Sequence, residues 1–174
     1  MKGPKMDANK THYAELKQPV NWAYMAAALQ KAASLMDWST KRDIIDWRYI
    51  PIYRMLIGFS LENLIKGILV GEGHPCMTDG ARLHHGLTQY AELIKGVVLT
   101  EADKNVLADL EHYVLWAGRY PRPRQATGMK SIGHSKPLHD AELRLGQRLY
   151  DYLRSLCPEI EPDTFLLPRI LPDR

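Results

Sequence analysis

Glu62 and Lys66 stand four residues apart in "LENLIKGIL", Leu61 to Leu69, a spacing that puts an acid and a base on one helical face within pairing reach. At 100° per residue Glu62 falls between Leu69 and Met55, inside an apolar sector. A carboxylate buried there alone would be costly, so it needs a partner or a proton. Lys66 is the ready intrahelical partner, and an arginine or histidine from elsewhere in the chain would also serve. The pair reads either as an organiser of helix packing or as a functional carboxylate. His84 and His85 come directly before a short helical pattern, where one of them could cap that helix or meet Glu62. A third group follows Trp116. Arg119, Arg122, Arg124, Lys130 and Lys136 accumulate where no acidic residue occurs between Glu111 and Asp140. Arginines beside Tyr120 and Trp116 suit phosphate contact and base stacking, although a solvated basic loop would look the same. Arg119 stands apart from the rest, because "WAGRYP" sets it directly after an apolar turn, within reach of an inward carboxylate such as Glu62.

Other chemistries find no support in the sequence. Cys76 and Cys157 fit neither a disulfide framework nor a zinc spacing. His134 and His139 are separated by Pro137 and lack the i, i+4 register of a helical zinc site; neighbours such as His84 and His85 rarely point at one ion, and no Cys or Asp cluster supports them. Metal and cofactor are therefore both expected to be absent. No phosphate-cradling GxxxxGK[ST], no GxGxxG after a strand and no nucleophile elbow occurs. The formal net charge of +3 permits a nucleic acid partner without arguing for one. The N-terminus lacks the apolar core of a signal peptide, and no apolar run approaches the ~20 residues needed to span a bilayer. The expectation is a soluble cytoplasmic protein with no membrane contact.

The elements that must position these groups are helices. At 174 residues the chain suits one domain able to bury a full core. Residues 1–18 read as a flexible segment, 19–157 as a helical domain and 158–174 as an extended arm, with prolines at 158, 162, 168 and 172. Helical periodicity runs over Pro19–Trp38, from about Ile44 to Val70, over Gly86–Ile94, from Glu101 to about Ala117, and over Leu138–Leu156. Thr100 and Asp103 form a capping-box pattern ahead of the fourth helix. From Met55 to Val70 the second helix is apolar on nearly every side, with only Ser60, Asn63 and Gly67 making a narrow small and polar strip. Such a helix is central, covered by its neighbours or by a second subunit. No segment alternates as a strand, so the fold is read as all-α.

Taken in order, the motifs resemble the HEPN family (higher eukaryotes and prokaryotes nucleotide-binding domain). The carriers are the Glu–Lys helix "LENLIKGIL", the histidine-led "HHGLTQYAELI" from His84 to Ile94, and the Arg-Tyr-Pro ending in "WAGRYPRP" from Trp116 to Pro123, followed by a last long helix. The resemblance covers about residues 20–156. It implies an up-and-down bundle of about five helices that dimerises, tied to RNA or nucleotides in toxin–antitoxin pairs and phage defence. Glu62, Lys66, His85 and Arg119 would then form an inner polar network. Many ribonucleases of the family are metal-independent and use an arginine followed four to six residues later by a histidine. That spacing is absent here: the first histidine after Arg119 is His134, and Arg82 lies too close to His84 and His85. The reading is a non-catalytic homodimeric binding module for RNA, a nucleotide or a cognate partner protein, with Arg119, Tyr120, Arg122, Arg124 and Lys130 as contact residues. Two alternatives stay open. One is a metal-independent RNA endonuclease with a displaced histidine, for which Arg119, His85 and Glu62 are the catalytic candidates. The other is a structural dimer whose C-terminal arm meets a partner.

Overall fold

A computed structural model describes residues 14–35, 50–75, 85–117 and 136–162. Five α-helices account for most of them, and among the described residues there is no strand. The chain is all-α. Helix α1 spans Pro19–Leu35, α2 Ile50–Gly71, α3 Leu87–Ala91, α4 Glu101–His112 and α5 Lys136–Leu156. α4 passes directly into a π-helical turn, Tyr113–Ala117, where periodicity alone predicts more α-helix. The expected starts and ends otherwise agree within a few residues, and the region around Ile44 lies outside the described residues.

Local chemistry accounts for several helix ends. Pro51 sits in the first turn of α2, where its missing N–H breaks no intrahelical bond. α2 stops at a left-handed Gly73 (φ +68°). The amide of His74 donates to Leu69 O at 2.8 Å and that of Gly73 to Val70 O at 3.0 Å, the paired bonds of a Schellman cap. Thr100 and Asp103 close a reciprocal capping box at α4. Burial opposes ionisation of Asp103, but the Thr100 hydroxyl and amide, then Arg148, hold its carboxyl below the usual range. Arg148 donates to Asp103 at 2.9 Å and to Val98 O at 2.7 Å, so the cap also ties α4 to α5.

α2 is the axis of the molecule. Its 22 residues, about 33 Å of helix, carry a buried run that includes Ile57, Leu61, Leu64, Ile65, Ile68 and Leu69. α1 packs antiparallel to it, and the small and polar strip proves to be the seam between the two. Ser60 Oγ donates to Ala26 O at 2.8 Å, and a Cβ on Gly67 would come within 2.9 Å of Trp22 Cβ. Small residues there let the backbones approach closely, so the strip faces a neighbour and not solvent. α5 runs parallel to α2 on another side, with Leu153 against Gly67 and Leu156 against Gly71. The π-helical turn leans on Gly58, where an added Cβ would meet Val114 Cγ2 at 2.5 Å. Past the end of α5 the chain folds back, with Ile160 buried and the Tyr150 hydroxyl donating to Glu161 O at 2.6 Å. The rest of the proline-rich arm lies outside the described residues.

Candidate functional site

Two charged centres are built on α2, and both are buried. The first is the expected pair. Glu62 is 3% exposed and accepts a hydrogen bond from Lys66 Nζ, itself 6% exposed. His85, arriving from the start of α3, sets Nδ1 3.1 Å from each Glu62 carboxylate oxygen. Its ring packs edge-on against Phe59 at 5.6 Å between centroids, while its side chain stays 42% exposed. Lys66 Nζ also lies 5.8 Å from the Trp22 ring and 5.9 Å from the Tyr90 ring, at the outer limit of cation–π attraction. Glu111 of α4 accepts the Thr88 amide at 3.0 Å and so holds the turn that carries His85. One carboxylate therefore serves a lysine on one side and a partly exposed imidazole on the other. Chemically this arrangement can fix the ring's orientation.

Of the four residues expected in an inner network, Glu62, Lys66 and His85 come together. Arg119 lies outside the described residues, as do Tyr120, Arg122, Arg124 and Lys130 of the basic segment and His84 beside His85.

The second centre was not anticipated from the sequence. Arg54, two turns before Glu62, is 1% exposed. Its NH1 lies 2.5 Å from Asp109 Oδ2 on α4, and its Nε and NH2 donate to a single oxygen, Glu142 Oε1 on α5, at 3.1 and 2.7 Å. The Tyr113 ring of the π-helical turn covers the guanidinium at 4.6 Å. Next to it the Tyr53 hydroxyl and His139 Nδ1 share a hydrogen bond of 2.7 Å. Glu142 is 1% exposed, and its second oxygen, Oε2, is buried with no hydrogen-bond partner among the described residues.

Burial pushes the Glu142 carboxyl up to about 7 from its ordinary 4.5, against the pull of Arg54 and with help from nearby Asp109. Arg54 is held above its ordinary value: burial opposes its charge, but Glu142 and then Asp109 outweigh that. Asp109, partly open to solvent, serves as the counter-ion of Arg54, and Glu142 is neutral below about pH 7.

A sequence signal for this centre existed. On the α2 wheel Arg54 shares its sector with Ile57, Gly58, Leu61 and Ile65, and on α5 Glu142 shares one with Leu145, Leu149 and Leu153. Each is a lone charge in a core register. Neither register says which charges meet.

Among the described residues no cluster of three or more His, Cys, Asp or Glu side chains could hold a metal ion. None of the described helices is long and apolar enough to cross a membrane. Comparison with family models, with curated proteins and with solved structures gives no match.

Proposed function

We propose that this chain is a HEPN-like helical binding module, non-catalytic and homodimeric, whose basic segment contacts phosphate groups of RNA or a nucleotide. The observation that carries the reading is how the ends of that segment are held. The acid-free run with Arg119, Arg122, Arg124, Lys130 and Lys136 joins the π-helical turn to α5. Tyr113 in that turn and Glu142 near the start of α5 are both fastened to Arg54. A concentrated positive charge between two anchored helix ends is suited to backbone contact with a polyanion. The ordered Glu-Lys, His and Arg-Tyr-Pro motifs, without the ribonuclease spacing, favour binding over cleavage. A role in toxin–antitoxin or phage-defence systems belongs to the same proposal.

One observation favours a second reading. His85 is oriented by a buried carboxylate and remains partly exposed, as a general acid or base in metal-free RNA cleavage must be. The cation for the phosphorane would have to come from Arg119.

The test is RNA binding and cleavage by purified protein across a salt series, with and without EDTA. The proposal expects binding that weakens steeply with salt, no cleavage, and loss of affinity in Arg119→Ala, Arg122→Ala and Arg124→Ala. Cleavage that survives EDTA and disappears in His85→Ala and Arg119→Ala would establish the endonuclease instead. If RNA and nucleotides both fail to bind, a protein partner meeting the C-terminal arm takes their place.

A further inference from the structure

We propose that Glu142 and Arg54 form a proton-controlled clamp, in which loss of one proton from Glu142 loosens the first turns of α5 from α2 and the π-helical turn. The clamp does not depend on RNA being the ligand. The buried centre is imbalanced. Arg54 spends two donors on one oxygen of Glu142 and turns a third toward Asp109, leaving Glu142 Oε2 buried without a donor. A neutral carboxyl tolerates that arrangement, because its proton can sit on the oxygen that lacks a donor. A carboxylate does not, because half of its charge is then unsolvated.

The groups facing Glu142 decide which form prevails. From α2 come Arg54 and, beside it, the Tyr53 hydroxyl; from α4 and its π-helical turn come Asp109 and Tyr113; from α5 itself comes His139, one turn earlier. Arg54 with Asp109 is already neutral as a pair. Ionising Glu142 therefore adds a net negative charge to a site in which Arg54 and Glu142 are each 1% exposed. Burial moves this ionisation to about pH 7, inside the range a cell crosses. Below it the centre is balanced and α5 is held. Above it the excess charge is relieved most directly by drawing the start of α5 outward, toward water. The α5 end that moves is the one continuous with the basic run.

Amide hydrogen exchange tests the clamp in the full chain. Protection of Asp140 to Leu145, corrected for intrinsic exchange, should fall tenfold or more in the wild type between pH 6 and 8.5. Glu142→Gln keeps the shape and cannot ionise, so its protection should stay level and exceed the wild type at pH 8.5. Asp109→Asn leaves Glu142 as the sole counter-ion of Arg54, so the midpoint should move to lower pH. Histidines also change charge in this range, so His139→Gln must retain the transition. A level wild-type profile would overturn the clamp. So would a transition that persists in Glu142→Gln, or one that disappears with His139. If Glu142→Gln does not fold, an Asp109→Asn midpoint at or above the wild-type value is the overturning result.

Discussion

The Glu62 and Arg54 centres sit on the same helix, within three turns of each other, and solve the same problem differently. Around Glu62 the charged partner is local. Lys66 lies one turn along α2, and His85 adds a contact whose outer side reaches solvent. Around Arg54 the carboxylates come from other helices, Asp109 from α4 and Glu142 from α5. The first centre leaves no carboxylate oxygen unpaired, whereas the second leaves Glu142 Oε2 without a donor. The difference teaches that an i, i+4 pair meets half of a buried acid's need inside one helix and leaves a single tertiary contact, here His85, to complete it. A cation shared across three helices binds them together and carries residual imbalance. That imbalance is where pH acts.

The comparison breaks most easily at Arg54. Replacing it with alanine leaves Glu142 and Asp109 facing each other without a cation, and should cost about 3–5 kcal/mol in chemical denaturation at pH 8. The loss should shrink below pH 7, where Glu142 takes up a proton. An equal loss at both pH values would mean that Glu142 does not change its charge between them.

Glu142→Gln sharpens the contrast next. In the folded protein the Glu142 carboxyl lies at about 7 against an ordinary 4.5, so between those values the folded state holds a proton that the unfolded chain has released. Stability from this group is fully present below pH 4.5 and is lost as pH rises through 7, by about 3 kcal/mol in all. Removing the ionisable group should therefore flatten the pH dependence of unfolding and make the variant relatively more stable at pH 8 than at pH 4.5. A conventional salt bridge would give the opposite sign.

Glu62→Gln should have a smaller effect, about 2 kcal/mol in thermal or denaturant unfolding, because it weakens charge-assisted bonds to Lys66 and His85 without opening a cavity. If stability were unchanged, Glu62 would not organise this region. Smallest of all is His85→Ala. With 42% of the side chain exposed, the loss should stay within about 1 kcal/mol. The same substitution would abolish activity if the endonuclease reading held, so stability and cleavage separate the two roles of this residue.

How far each centre was legible follows from the range of its contacts. The Glu62–Lys66 pair could be read from spacing, since helical geometry alone brings those side chains together. The His85 contact was open as one of two options, and only the position of α3 against α2 and α4 selects it. Arg54 and Glu142 were missed although each occupies a core register. A wheel identifies a charge that needs a partner, but 88 residues separate these two and no local rule connects them. The π-helical turn had no signal either: Tyr113 and Val114 suit an α-helix equally well, and the closeness of Gly58 becomes evident only with α2 in place.

By itself the sequence determined the helical class, the approximate helix limits, the Thr100 capping box, the central status of α2 and the Glu62–Lys66 pair. All of these depend on neighbours within a turn or two, where 3.6-residue geometry and backbone hydrogen bonding leave few choices. Tertiary structure alone decided that Ser60 and Gly67 form a helix–helix seam, that His85 reaches Glu62, and that Arg54 joins three helices around an unpaired carboxylate oxygen. Burial raises the stakes for each of those choices, because water no longer stands in for a missing partner.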